Sequence, residues 1–278
     1  MAIILTNKYN KPQAIVDAIK NDLYDGYDSD YTATSLSSPI LLRWLQKNRD
    51  SVVDVMDMLH LLLGEAVHMI LEKANGKGYV KEKRVYWTYN NLKISGKFDV
   101  YYHTTKLLQD YKTAKAYSLV YKDTLDKWKT QMNYLRFLMH HNNIPVEKAE
   151  MVAILKDFEP KRAGLNHYPP DMLPIIPIPL DDLAVTEANI IADIERHEQW
   201  KNAKVTDIPI CTHEERWYQP EKWLVRLGNN KVYNRATHAL AKRDCDRVPN
   251  STMELVPESF RRCEQFCSVK HVCPVYVK

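Results

Sequence analysis

Apolar residues recur at three- and four-residue intervals in two long stretches of the chain. Val52, Met56, Leu59, Leu63, Ala66, Val67, Ile70 and Leu71 predict a helix over residues 50–74. Leu125, Trp128, Met132, Leu135 and Met139 predict a second over 124–141, with a seam made to pack on a sheet. Between them, from Arg84 to Thr113, aromatic and β-branched residues dominate, with polar breaks at Asn90-Asn91 and His103-Thr104-Thr105. That texture predicts three antiparallel strands joined by turns. A short helix is expected over 12–25, broken by the acidic, tyrosine-rich stretch 24–31, and Pro39 ahead of Ile40-Leu41-Leu42 marks another helix start. Further on, Glu150–Phe158 reads as a strand and Ile175–Leu180 as a proline-interrupted edge strand. Asp181–Lys201 reads as a helix opened by Asp181-Asp182. The last third carries a hairpin at Trp223–Tyr233 around Gly228-Asn229-Asn230, a short helix and a cysteine-rich tail. The expected class is α/β, with a mixed, mainly antiparallel central sheet flanked by helices. A core with an N-terminal helical region would occupy 1–206, and a small cysteine-rich C-terminal subdomain 207–278.

Composition narrows the class without naming a function. A chain of 278 residues can bury one substantial core with a small appendage. Hydrophobic residues at 45% and charged residues at 27% are ordinary for a soluble protein, and no run approaches the ~20 apolar residues that span a bilayer. No membrane partner is therefore expected. The start, Met1 to Lys8, has no basic segment followed by a long apolar one, so a cytoplasmic protein is expected. A formal charge of +4, from 39 basic and 35 acidic residues, is too even to establish nucleic-acid binding. Basic residues do cluster, at Lys77, Lys81, Lys83 and Arg84, and at Lys106, Lys112, Lys115, Lys122, Lys127 and Lys129. A solvated lysine-rich face accounts for either group equally well.

Candidate chemistry lies in the strand region. In Leu107-Leu108-Gln109-Asp110-Tyr111-Lys112 the alternation of strand side chains puts Asp110 and Lys112 on one face. A neighbouring strand, Ser95-Gly96-Lys97-Phe98-Asp99-Val100, can bring Asp99 beside them. Two carboxylates about 4 Å apart repel by roughly 4 kcal/mol at an effective dielectric near 20, a cost that a divalent cation turns into attraction. All-oxygen ligation suits Mg²⁺ or Mn²⁺ rather than zinc. Phosphodiester hydrolysis uses such a site, with the metal holding a phosphate oxygen and Lys112 orienting or deprotonating the attacking water. An Asp-x-Lys tripeptide alone is common at turns and surfaces of any charged protein, so its surroundings matter.

Those surroundings resemble the PD-(D/E)XK nuclease superfamily, in its RecB-like and phage exonuclease branch. Asp99 matches the strand-end aspartate and Asp110-Tyr111-Lys112 the acidic-x-lysine strand. Gly64-x-x-x-His68-x-x-x-Glu72 is similar to the helix that supplies a metal-binding histidine, Gly96-x-x-Asp99 to the first carboxylate motif, and Gln131-Met132-Asn133-Tyr134 to the Gln-x-x-Tyr helix. Order and separations agree across residues 64–134, and the one departure is Asp110 where many relatives use glutamate. The resemblance implies a restriction-endonuclease-like fold with Mg²⁺ or Mn²⁺ on His68, Asp99, Asp110 and the Tyr111 carbonyl. Glu72 or another polar group would orient the His68 ring, Lys112 would act on the water, and Gln131 and Tyr134 would position DNA. It also implies an exonuclease of bacterial or phage DNA recombination, repair or degradation, as a homo-oligomer or beside a recombination partner protein. A structure- or sequence-specific endonuclease and a non-catalytic DNA-binding assembly subunit are the rival readings.

Five cysteines in a reducing compartment suggest thiols or metal ligands rather than disulfides. Cys263, Cys267 and Cys273 lie close enough in sequence to ligate an iron-sulfur cluster or, alternatively, zinc. Cys211, after Ile208-Pro209-Ile210, is the preferred fourth ligand over Cys245, and His213 or His271 could substitute around zinc. Some RecB-like nucleases similarly use one distant and three C-terminal cysteines, but their distant one precedes the nuclease motifs, whereas no cysteine here precedes Cys211.

Overall fold

The computed structural model describes residues 3–22, 28–120, 122–165, 167–228 and 230–276. Fully buried Ile94, Phe98 and Leu108 join Met132, Leu135, Leu138 and Met139 in the largest apolar cluster, so the two sequence periodicities meet in one core. Three strands carry the site: β4 (Tyr79–Tyr89), β5 (Leu92–Tyr102) and β6 (Leu107–Ala114). Before them lie β1 (Ile3–Thr6), β2 (Tyr31–Thr32) and β3 (Ser51–Asp54), with helices α1 (Gln13–Asp22), α2 (Ala33–Leu36), α3 (Ile40–Asn48) and α4 (Val55–Glu72). After them come α5 (Lys122–His140), β7 (Lys148–Leu155), β8 (Ile175–Pro177) and α6 (Leu183–Glu198).

β4 runs antiparallel to β5 from Tyr79↔Tyr102 to Tyr89↔Leu92. Asn90 and Asn91 close the hairpin at φ of 46° and 63°, the left-handed pair that a tight two-residue turn needs. The other edge of β5 is divided. β2 pairs with it, parallel, at Tyr31↔Ile94 and Thr32↔Ser95. β6 pairs antiparallel only at Val100↔Gln109, Tyr101↔Leu108 and Tyr102↔Leu107. α5 then carries the chain back so that β7 lies parallel to β6 over its full length, and β8 closes the edge antiparallel. The result is a central mixed sheet with helices packed on it, as the pattern predicts.

Two elements differ from expectation at the N-terminal end. Ser51–Asp54 is a strand rather than helix, paired in parallel with Ile3–Thr6, for which the sequence predicts no element. Asp54 explains the switch. Its carboxylate accepts from Thr6 Oγ1 and from the backbone N–H of Lys8 and Met56, so it ties β1 to β3 and caps α4 in one residue. Residues 24–27 of the acidic stretch lie outside the described residues, as does Asn229 of the predicted hairpin turn.

The last third holds β9 (Tyr218–Gln219), β10 (Lys222–Leu227), β11 (Asn230–Arg235), α7 (His238–Arg247), β12 (Ser251–Val256), β13 (Ser259–Phe260) and α8 (Arg261–Gln265). β10 and β11 form the predicted hairpin, and β12 adds a third strand. The tail beyond α8 reaches back across the chain. Val269 packs in one cluster with Leu41, Leu42 and Leu45 of α3 and with Ile208, so apolar contacts cross the boundary expected at 207. Gln46 donates to Ser268 Oγ at 3.2 Å, and Lys270 Nζ stands 3.8 Å from Asp57 on α4. Among the described residues, no helix is long and apolar enough to cross a membrane.

Gly96 lets α5 approach the sheet. A Cβ built there would lie 2.5 Å from Leu135 Cδ2 and 2.9 Å from Leu138 Cδ1, whereas one at Gly64 on α4 meets nothing within 4 Å. Urea unfolding should separate the two. Gly96→Ala is expected to lose about 1–3 kcal/mol by overpacking, and Gly64→Ala to gain roughly 0.5–1 kcal/mol from helix propensity. Equal midpoints for parent and Gly96→Ala would show that this close approach is not maintained in solution.

Candidate active site

The catalytic candidates sit at the point where β6 leaves β5. Val100↔Gln109 is the last pair between the strands, so the next facing residues, Asp99 and Asp110, stand where the ladder has opened. Beyond that point the Tyr111 N–H donates to Asp99 Oδ2 at 2.7 Å in place of a strand carbonyl. Both carboxylates are buried, with Asp99 6% and Asp110 1% exposed. Gln131, from the sheet-facing side of α5, donates to Asp110 Oδ1 at 3.1 Å. Lys112 Nζ lies 2.6 Å from the buried Asp110 Oδ2, a close ion pair between neighbours on one face of β6.

A residue outside the sequence prediction completes the arrangement. Glu82 of β4 lies opposite Asp99, between the pairs Lys81↔Val100 and Lys83↔Phe98, with φ at 49°. That left-handed backbone is uncommon for a residue with a Cβ and gathers at functional sites. His68 Nδ1, on α4, is 3.2 Å from Glu82 Oε1 and 3.7 Å from Asp99 Oδ1, while Lys97 pairs with Glu82 Oε2. Ligand atoms of His68, Glu82 and Asp99 all lie within 4.8 Å of one another, a spacing that can hold one metal ion. They line a cleft of about 370 Å³ together with Asp110, Lys112, Gln131 and Arg84.

The electrostatics express a conflict. Burial, and then the neighbouring Asp110 carboxylate, push Asp99 up to about 7 from an ordinary 3.8. Burial works against the Lys112 charge, but Asp110 and Asp99 outweigh it and hold the ammonium above its ordinary value. The Glu82 hydrogen bond raises His68, with Asp99 adding. Burial would raise Glu82, yet His68 and Lys97 together hold it below the usual carboxylate range.

Asp99, Asp110, Lys112, Gln131 and His68 thus share one cleft, with Tyr111 between two of them. Tyr134 is placed elsewhere. It is 5% exposed, and its hydroxyl donates to Asp193 of α6 at 2.8 Å, in a separate pocket with Arg196 and Ser37. Three residues along a helix leave side chains about 60° apart, so Tyr134 at the flank of this face meets α6 while Gln131 meets the sheet. Glu72 does not orient His68 either. Glu82 does, and the Glu72 backbone carbonyl accepts from Lys81.

All five cysteines are free thiols. Cys211, Cys267 and Cys273 pack against the α3 cluster. Burial, Glu215, and the thiols of Cys267 and Cys273 push Cys211 up to about 11, and burial with Cys263 and Cys273 raises Cys267. Cys245 lies on α7, which packs on the β10–β12 sheet, and His213 stacks on Tyr218 at 4.6 Å.

No family model matches the chain, and no curated protein does. Among solved structures, the protein SSO0001 is similar at 17% identity over 68% of this chain and 85% of that one, with a TM-score of 0.45. A phage related exonuclease from Haemophilus somnus 129PT is similar at 13% identity over 66% and 79%, with a TM-score of 0.29.

Because Asp99 titrates at about 7 in the fold and 3.8 when unfolded, the native state keeps a proton that the unfolded chain releases. Its contribution to stability is greatest below the lower value and is lost as pH rises through the upper one. Asp99→Asn keeps an acceptor for Tyr111 and removes this loss. In EDTA the variant should exceed its parent in urea stability by on the order of 1–4 kcal/mol above about pH 7, with the gap closing toward about pH 4. A parent as stable as the variant at high pH would mean that the two carboxylates are not in conflict.

Proposed function

We propose that this protein is a Mg²⁺-dependent deoxyribonuclease of the PD-(D/E)XK superfamily, with a restriction-endonuclease-like core. It hydrolyses DNA phosphodiesters from strand ends, in the cytoplasm of a bacterium or phage-infected cell, during recombination, repair or degradation. One observation carries the reading: two buried carboxylates, Asp99 and Asp110, share one cleft with Glu82 and His68, and Lys112 is paired with Asp110 Oδ2. Carboxylates gathered in this way are costly to bury, and a divalent cation beside the ammonium would offset the charge that remains.

The donor set fits a hard divalent ion. Asp99, Asp110 and Glu82 offer oxygens and His68 a nitrogen, and the Tyr111 carbonyl is proposed as a further oxygen ligand from the chain between Asp110 and Lys112. When bound, Mg²⁺ or Mn²⁺ supplies Lewis acidity that polarises the phosphate and offsets charge developing on it. The side chains supply the positioning. Gln131 donates to Asp110 Oδ1 and Lys112 pairs with Oδ2, so the carboxylate is fixed in orientation. Glu82 fixes the His68 ring. The Lys112 ammonium, held charged by its carboxylate neighbours, orients the attacking water and stabilises the negative charge gained at phosphorus. Arg84 and Lys97 line the same cleft and favour approach of a phosphate backbone that the carboxylates alone would repel.

Linear and covalently closed circular DNA, each with Mg²⁺, test this reading. The protein should degrade the linear form and leave the closed circle, and Asp110→Asn should lower the rate about a hundredfold or more. Cutting of the closed circle indicates an endonuclease, and binding without cutting an assembly subunit. Full activity in Asp110→Asn refutes the site.

For Cys211, Cys263, Cys267 and Cys273 we propose an iron-sulfur cluster that pins the tail to α3. In support, each of these thiols lies within electrostatic reach of at least one other. Among the described residues, however, no three cysteines bring their sulfurs within 4.8 Å. Tetrahedral zinc with bonds of about 2.3 Å needs sulfurs about 3.8 Å apart, and a polynuclear cluster holds them wider. Anaerobically purified protein should absorb broadly at roughly 400 nm, an absorbance lost in Cys267→Ser and kept in Cys245→Ser. A colourless protein with one equivalent of zinc would favour the other ion.

A further inference from the structure

A second cavity, of about 690 Å³, lies outside the catalytic cleft. Its character is aromatic and cationic together: Trp217, Phe266 and Tyr117 line it with Lys115, Lys127 and Arg261, against the carboxylate of Glu214. Phe266 is 54% exposed and Tyr117 47%. The Trp217 and Phe266 rings stand 5.3 Å apart at 55°, and Lys127 Nζ lies 5.5 Å from the Trp217 ring. Arg261 is 5.9 Å from the Phe266 ring.

Trp217 is held in place by its backbone. Its φ is 55°, a left-handed conformation that bulky residues avoid. The turn is fixed by Trp217 N–H to the Glu214 carbonyl at 3.0 Å and Tyr218 N–H to the His213 carbonyl at 2.9 Å. The indole is thereby presented to the cavity rather than left to find a core.

Two stretches of chain that line the cavity also carry residues of the catalytic cleft. Lys127 and Trp128, which line it, precede Gln131 by four and three positions on α5, about one helical turn or ~6 Å. Gln131 itself touches Asp110. From the sheet side, Lys115 follows Lys112 by three residues, just past the end of β6.

We propose that this groove binds single-stranded DNA, stacking unpaired bases on Trp217 and Phe266 and meeting phosphates with Lys115, Lys127 and Arg261, so that an unpaired end is led to the cleft. Aromatic rings that line a groove beside cations, Phe266 exposed and Trp217 half-buried, suit a chain of flat bases joined by anions. A duplex keeps its base faces stacked inward and offers the rings nothing. The inference rests on the nuclease reading for its direction, and the groove is tested without catalysis.

Fluorescence anisotropy with a labelled oligodeoxythymidylate, Ca²⁺ replacing Mg²⁺, is the measurement. The parent should bind the oligonucleotide more tightly than a blunt duplex of equal length. Trp217→Ala and Phe266→Ala should each weaken it about tenfold and leave the duplex unchanged, whereas Trp217→Phe retains binding. Thermal unfolding of each variant checks the fold, and Phe266→Ala, at an exposed ring, remains informative if Trp217→Ala melts early. Variants that bind the oligonucleotide as the parent does, or a parent with no preference for it, overturn the proposal. So does sedimentation showing a dimer that Phe266→Ala dissociates, since the groove would then seat a second copy. A protein that binds through these rings yet cuts nothing in Mg²⁺ keeps the groove and refutes the nuclease. One that cuts with unaltered oligonucleotide affinity in both variants does the reverse.

Discussion

Backbone pairing between β5 and β6 ends at Val100↔Gln109, and the carboxylates of Asp99 and Asp110 face each other across the gap this leaves. Nothing about two buried acids side by side favours folding; the rest of the molecule holds them there. On one flank β4 follows β5 from end to end, and on the other β7 follows β6 over its full length. These two ladders grip each strand from outside, so the fork between them cannot close by sliding. The Tyr111 N–H and the Lys112 ammonium relieve part of the repulsion.

The two helices that serve the fork are held by different means. α5 is buried against the sheet, and Gly96 removes the side chain that would keep Leu135 and Leu138 at a distance. Gln131 reaches Asp110 because of that closeness. α4 carries His68 and is secured at its start, where Asp54 caps it and Lys270 of the tail approaches Asp57. Through its approach to Glu82 and Asp99, His68 therefore joins the sheet to a helix anchored elsewhere.

Much of this was legible in the sequence. The aromatic and β-branched run with breaks at Asn90-Asn91 and His103-Thr105 gave the three strands, and strand alternation put Asp110 and Lys112 on one face. The α5 seam was legible because all of Trp128, Met132, Leu135 and Met139 are buried on one core. Glu82 was not read, because in Lys81-Glu82-Lys83-Arg84 it looks like part of a solvated charged run, and a left-handed φ leaves no mark in composition. A signal did exist: a two-residue turn at Asn90-Asn91 fixes the register that sets Glu82 opposite Asp99. Ser51–Asp54 read as helix because its apolar residues continue the helical period of α4. Its strand partner lies some 48 positions away, beyond any local pattern. Tyr134 is satisfied by Asp193, a contact equally remote in sequence.

The packing of Val269 against Leu41, Leu42 and Leu45 bears on biogenesis. α3 follows α2 directly, and Thr32, Ala33 and Thr34 at that junction line the cleft beside the carboxylates. A nascent chain can form the hairpin and the α5 core while translation proceeds, but this apolar cluster waits until Val269 has cleared the ribosome. The α3 face is consequently among the last parts to be covered, whereas the cleft wall at residues 32–34 is already held through the pairing of Tyr31 with Ile94 and Thr32 with Ser95. A polypeptide cut short before Val269 would keep its acidic pair in a formed sheet and expose instead the apolar side of α3, a surface that invites aggregation or proteolysis.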